Sequence, residues 1–191
     1  LVANNKPHEA IEYYQIAIKY KKDFVEPYIG LANCLQSANR LDEAIVALNA
    51  AVRLNPSDGR ALAILGTIKL KQGANDEAIA ALQKATESSV FSSDAHRQLS
   101  QLVKYERGNT HISKVEEILN TSTLTLYEQC QMHFAYAKMQ EDLENYAQAF
   151  EHYRSAGQLR KKSLGYNFAR DVAYFNRIKE HFATLGNVEN P

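Results

Sequence analysis

Glu9-Ala10-Ile11, Glu43-Ala44-Ile45 and Glu77-Ala78-Ile79 decide the fold, because each triplet stands 34 residues after the one before it. Other positions keep the same step. Small residues recur at Ala17, Ala51 and Ala85, and large ones at Tyr14, Leu48 and Leu82. An earlier segment of each unit supplies Leu31, Leu65 and Leu99, followed by Ala32, Gly66 and Ser100. A fixed period of this length marks a stacked array whose units bury apolar surface only against their neighbours. Two helices per unit explain the pattern: small side chains let two backbones approach, and large ones fill the space between successive pairs. Asn39-Arg40, Asn55-Pro56-Ser57-Asp58 and Gly73-Ala74-Asn75 stop one helix and start the next, and Asp42 and Asp76 are expected to cap second helices.

On these residues the chain resembles the tetratricopeptide repeat family, which implies an all-α, right-handed solenoid of about four helix-turn-helix repeats closed by a C-terminal amphipathic helix. Residues 1–107 read as regular repeats, the first incomplete because Pro7 to Tyr20 is a second helix with little of its partner. Residues 108–162 read as an irregular repeat plus a final one. Gly108-Asn109-Thr110-His111 begins a longer connection there, and Ala149 follows Ala78 by two periods plus three. Residues 163–191 read as a capping helix and tail, with Phe168, Val172, Phe175, Ile178 and Phe182 on one side. That stripe is expected to cover the end of the last repeat, a docking surface for a following domain being the alternative.

Composition removes several classes of function. Lys plus Arg equals Asp plus Glu at 22 each, so no net field draws in a phosphate backbone and nucleic acid is not an expected partner. No apolar run approaches the roughly 18–20 residues of a membrane span, and LVANNKPHEA lacks a signal-peptide core, so membrane insertion is not expected. Cys34 and Cys130 lie far apart in helical patterns and read as buried free thiols, which suits a reducing, cytoplasmic compartment. The sequon Asn120-Thr121-Ser122 reads as a chance triplet.

No cofactor, metal or catalytic group is expected. Gly59, Gly66 and Gly73 are too widely spaced for a phosphate loop, and the six histidines form no His-x-x-x-His pair. Cys130 and His133 share a helical face, but His133 and His96 hold one position in successive first helices and read as packing residues. Glu116-Glu117 and Glu141-Asp142 diverge as neighbours on a helix, and Arg160-Lys161-Lys162 reads as a solvated helix end.

The family resemblance also implies a concave groove lined by the first helix of each pair. By register it takes Glu26, Ile29, Asn33 and Gln36 from one repeat, Arg60, Ala63, Thr67 and Lys71 from the next, and Arg97, Gln101 and Lys104 from the third. Such a surface is polar with a basic centre and suits a protein or peptide, acidic or extended. Asn33 can donate to and accept from a peptide backbone, while Arg60, Lys71 and Arg97 can hold carboxylates. Reversing Arg60 and Arg97 to Glu is expected to abolish binding of an acidic partner with melting nearly unchanged. A subfamily that clamps the C-terminal carboxylate of chaperone tails is not matched: Asn33 fits, but Ile29, Ile64, Asp94 and Gln98 stand where it has Lys, Asn, Lys and Arg. The uncovered side of the incomplete first repeat makes self-association a further expectation.

A narrower resemblance covers His111 to Phe182. Met132-His133-Phe134-Ala135-Tyr136-Ala137-Lys138, Glu141-Asp142-Leu143, Asn145-Tyr146, Ala149-Phe150 and Tyr153 resemble a bacterial family in which such repeats precede a sulfotransferase domain. The resemblance implies a non-catalytic, substrate-presenting or regulatory portion of a larger enzyme. That family's Gly- and Ser-rich donor loop has no counterpart among the eight glycines.

Overall fold

The computed structural model describes residues 7–120, 123–165 and 167–185, and the side chains of residues 8–120, 123–165 and 167–181. The N-terminal residues 1–6, Thr121 and Ser122 of the sequon, the Phe182 side chain and the tail from residue 186 lie outside that description. Among the described residues the chain is all helical: α1 (Pro7–Tyr20), α2 (Val25–Ser37), α3 (Leu41–Leu54), α4 (Gly59–Lys71), α5 (Asn75–Glu87), α6 (Ser93–Leu102), α7 (Thr110–Leu119), α8 (Leu126–Asp142), α9 (Tyr146–Ser163) and α10 (Phe168–Leu185). Helix α1 packs on α2, and α2/α3, α4/α5 and α8/α9 form packed pairs stacked in order; between the second and third of these, α6 packs on α5 and α8, and α7 packs on α8 and meets α6 through the side-chain contact of His111 with His96.

The repeated small and large residues are the joints of this stack. Ala10, Ala44, Ala78 and Ala149 are each at most 3% exposed, and Leu48 and Leu82 are fully buried. A Cβ on Gly66 would lie 2.7 Å from Leu82 Cγ, so the small residue on α4 is what admits the large one on α5. Gly30 serves Tyr14 in the same way, with the ring's Cζ 2.4 Å from where a Cβ would stand. The irregular repeat follows the same rule. Val115 is fully buried 34 residues before Ala149, at the position alanine holds elsewhere, so the three-residue insertion precedes it. The slack falls in residues 103–109, where buried Tyr105 takes a hydrogen bond on its hydroxyl side from or to His111 Nδ1 at 2.7 Å and donates its amide to Asp142 Oδ2 at 3.2 Å.

Loop chemistry sets the pair geometry. Asn39 and Gly73 hold φ of 58° and 77° after the first helices of their pairs, and Glu144 repeats this at 62° after α8. The left-handed residue reverses the chain within three positions. Asp58, Ser92, Asn109 and Thr125 cap α4, α6, α7 and α8 through side-chain oxygens. Asp42 and Asp76 do not cap. They sit inside the first turns of α3 and α5, whose N-cap positions are Arg40 and Ala74, and act there only as charges favourable to the helix dipole.

α10 is amphipathic as expected, but its stripe does not cover the last pair among the described residues. Phe168, Val172 and Phe175 are exposed, and so are Tyr146 and Phe150 on α9, where a following helix would pack.

Gly59 opens α4 under the chain at Val90, donating its amide to Val90 O at 3.1 Å, and a Cβ there would meet Val90 O at 2.5 Å and Ala85 O at 2.8 Å. Gly59→Ala is therefore predicted to destabilise by about 1–3 kcal/mol, against helix propensity, because backbone atoms cannot yield. Gly157→Ala, with nothing within 4 Å in mid-α9, is predicted to stabilise by up to about 1 kcal/mol. Thermal unfolding followed by circular dichroism gives both signs.

Candidate functional site

The first helices α2, α4, α6 and α8 present one face to a groove of about 720 Å³. Its floor is apolar, with buried Ile29 and Ala63 and half-buried Ile64, and Tyr14 reaches it from α1 because Gly30 leaves room for the ring. Its walls carry Asn33, Arg60, Thr67, Asp94, Gln98 and Tyr127.

Most of the polar wall is already paired between neighbouring repeats. Arg60 Nη2 donates to Glu26 Oε1 at 2.7 Å, one period back, and Nη1 to Glu26 Oε2 at 3.2 Å. The same guanidinium donates to Asp58 Oδ1 and Oδ2 at 3.1 and 2.8 Å. Asp58 is 1% exposed. Burial alone pushes its carboxyl up, but the Arg60 side chain, with the Arg60 and Ala61 amides, outweighs this and holds it below the usual range. Hydrogen bonds to Asp58 and Glu26 raise the Arg60 guanidinium in turn. Thr67 Oγ1 lies 2.7 Å from Gln98 Oε1. Arg97 donates to Gln131 Oε1 at 3.1 Å and lies 4.3 Å from the Phe134 ring centroid, a cation–π contact. Tyr127 donates to Asp94 Oδ1 at 2.6 Å, and burial followed by this bond pushes its phenol up to about 12.

This geometry revises the residue set drawn from register. Glu26, Ile29, Asn33, Arg60, Ala63 and Thr67 line the groove together. Gln36, Lys71, Arg97, Gln101 and Lys104 do not line it. The Gln36 Nε2 is buried with no hydrogen-bond partner among the described residues. Lys71 and Gln101 are exposed at the far ends of α4 and α6, and Lys104 lies beyond α6, which stops at Leu102. The centre is not basic. Arg60 is bracketed by Glu26 and Asp58, Arg97 is turned onto Phe134, and Asp94 adds a further carboxylate to the wall. Asp94 and Gln98, which stand at two positions of the carboxylate clamp, also line the groove. Tyr14 and Tyr127 had no such signal, because one comes from a second helix and the other depends on a rotamer fixed by Asp94.

The remaining chemistry packs the array. Four of the six histidines form pairs that spacing did not disclose: His96 Nδ1 to His111 Nε2 at 2.8 Å, and His133 Nδ1 to His152 Nδ1 at 3.0 Å. Burial, then the neighbouring charge, lowers His96 to about 3 and His111 to about 4. Cys130 donates to Ala156 O at 3.3 Å, and its buried thiol is raised, so His133 is not its base. Glu141 accepts from Tyr153, and Asp142 pairs with Lys138. Among the described residues no group of three or more His, Cys, Asp or Glu is placed to hold a metal, and no helix is long and apolar enough to cross a membrane.

Comparison with known proteins follows from this architecture. The tetratricopeptide repeat family profile matches residues 1–68 and 38–102, together more than half of the chain. The chain belongs to the tetratricopeptide repeat family. A curated relative, the probable UDP-N-acetylglucosamine–peptide N-acetylglucosaminyltransferase SPINDLY of Arabidopsis thaliana, is 33% identical over 85 residues, 44% of this chain. The match spans 9% of that relative's length. Among solved structures, MamA superposes with a TM-score of 0.55 at 20% identity over 86% of this chain and 94% of that one. YrrB, described as a TPR protein with an unusual peptide-binding site, gives 0.53 at 22% identity over 81% and 85%. The Cut9–Hcn1 structure of the APC/C gives 0.63 at 18% identity over 83% of this chain and 31% of that one. These structures share the solenoid fold with this tetratricopeptide array.

Two predictions follow from the wall and the histidines. Replacing Arg60 removes the cation facing buried Asp58, so Arg60→Met should cost about 1–3 kcal/mol in urea unfolding, and the Arg60 and Arg97 reversal should not leave melting unchanged. His96 and His111 are held below the roughly 6.5 of an unfolded histidine. The folded state therefore binds fewer protons, and their contribution to stability is full above about pH 6.5 and is lost as pH falls towards 4. The melting temperature of the wild type should drop across that window more steeply than that of His96→Leu.

Proposed function

We propose that this tetratricopeptide array is a recognition scaffold that holds an extended segment of a protein or a peptide in the groove across α2, α4, α6 and α8. The observation carrying this reading is the groove itself: about 720 Å³, apolar in its floor, with side chains locked by pairs between repeats. Walls fixed in advance lose little side-chain freedom on binding, which favours a ligand that supplies its own backbone hydrogen bonds. Asn33 suits that role. It is exposed on the groove wall, and its side-chain amide has no hydrogen-bond partner among the described residues, leaving a donor and an acceptor for a peptide bond. The description of YrrB as a peptide binder agrees with this reading.

A second reading takes the array as the non-catalytic, substrate-presenting part of a larger transferase, either the sulfotransferase that residues 111–182 resemble or an enzyme of the kind SPINDLY's name describes. The observation favouring it is the uncovered stripe Phe168, Val172 and Phe175, which suits a docked domain. A downstream reading frame with no strand leading into a donor-binding loop would remove the sulfotransferase version. Self-association through the exposed Tyr13, Ile16 and Tyr20 of α1 is tested separately by light scattering across a concentration series.

For the groove, the measurement is binding of random nine-residue peptides displayed on phage to the whole chain. Asn33→Ala should reduce recovery of the selected peptides about tenfold, as loss of hydrogen bonding worth about 1–1.5 kcal/mol predicts. Val46→Glu, at an exposed site outside the groove, should leave it unchanged. Equal loss in both variants, or in neither, would move the interface elsewhere.

A further inference from the structure

Resting on the groove reading above, we infer that the segment held there carries a Lys or Arg whose cationic head seats on Asp94 beside the Tyr127 ring. The charges already in the wall point this way. The Arg60 guanidinium makes four hydrogen bonds to Glu26 and Asp58, which leaves a single N–H of its five, so Arg60 offers an incoming carboxylate no vacant pair of N–H groups. Arg97 is committed to Gln131 Oε1 and to the face of Phe134. An acidic ligand would have to break those pairs before it gained any of its own.

Asp94 is arranged in the opposite sense. Both of its hydrogen bonds arrive at one oxygen: Tyr127 Oη donates to Oδ1 at 2.6 Å, and Gln131 Nε2 donates to the same Oδ1 at 2.7 Å. Oδ2 accepts none among the described residues, and Asp94 lines the groove. The carboxylate is thus held through one oxygen by two donors, and its other oxygen has no hydrogen-bond partner among the described residues. Tyr127 lines the groove beside it and is 49% exposed, so its ring offers an aromatic surface to the head that Oδ2 receives. A carboxylate and a ring face together recognise an ammonium or guanidinium group through a charge-assisted hydrogen bond and a cation–π contact.

The two unpaired elements, Asn33 and Asp94, belong to different repeats, on α2 and α6, with the apolar strip of Ile29, Ala63 and Ile64 between them. A compact cation could reach Asp94 but not Asn33. An extended segment engages both, its backbone on Asn33, apolar side chains over the strip and a basic residue at the α6 end.

The test uses the whole chain and the displayed nine-residue peptides already described, selected in parallel on wild type, Asp94→Asn, Asp94→Lys and Asn33→Ala. Asparagine keeps an Oδ1 acceptor for Tyr127 and Gln131 and removes the charge, so the fold has no reason to change, and melting curves check this. Wild type should enrich Lys or Arg at one peptide position, Asp94→Asn should lose that preference, and Asp94→Lys should turn it to Asp or Glu. A selected peptide with its basic residue replaced by norleucine should bind wild type about tenfold to a hundredfold more weakly, as expected for a charge-assisted hydrogen bond, and should bind Asp94→Asn no differently from its parent. Enriched peptides that need Asn33 yet show no basic position, or whose basic position is indifferent to Asp94→Asn, overturn the inference and leave the groove reading intact. Absence of any Asn33-dependent enrichment overturns both. Should Asp94→Lys fail to fold, the norleucine series on wild type and Asp94→Asn still decides between these outcomes.

Discussion

The close approach of two helix backbones at a small residue is the constraint on which this structure depends. Ala10, Ala44, Ala78 and Ala149 bring the second helix of each pair onto its neighbour, and Leu48 and Leu82 fill the space that this closeness leaves at the next turn. Because one buried cluster runs from Ala10 on α1 through α2 and α3 to Ile68 on α4, no pair has a complete core of its own, and stability accumulates along the stack. The joints also fix the spacing of the first helices, and that spacing sets the width of the groove. Packing on one side of the array therefore determines recognition on the other.

The groove shows how polar side chains adapt to this spacing. Residues one period apart, or close to it, meet across adjacent repeats: Glu26 with Arg60, Asp94 with Tyr127, Arg97 with Gln131. Such partly exposed pairs contribute modestly to stability. Their larger effect is to remove freedom from the wall and to assign its charges. Arg60 is neutralised where it stands, whereas Asp94 retains an accepting oxygen. The chemical character of the surface is set by what is left unpaired more than by what is present.

The fold was legible in the sequence because its determinants are periodic. Triplets at a step of 34, Asn or Gly at the helix reversals and the displaced alanine at Ala149 each imposed a local geometry that the structure realises. Helix capping was less legible, since an Asp near a helix start serves the dipole as readily as the cap, as Asp42 and Asp76 do. The groove was legible in position but not in charge. Register puts Arg60 on the face that lines the groove and cannot show that Asp58, a loop residue two positions away, holds its guanidinium. It also extended the third repeat to Lys104, although α6 ends a turn early where Tyr105 folds inward. The histidine pairs link residues 15 and 19 positions apart, separations that carry no periodic signal.

The pairs between repeats bear on how such an array can change over time. Stacked units joined only by identical alanine and leucine contacts could be duplicated, deleted or reordered freely, since every joint would accept every other. Here the second position of the first helix reads Glu26, Arg60 and Asp94 in turn, and each side chain answers a particular neighbour. Deleting the α4/α5 unit would set Glu26 beside Asp94, two carboxylates where an ion pair had been. The inner wall thus gives the units an order, and lineages that carry this wall are constrained to keep their repeats in the sequence in which they now stand.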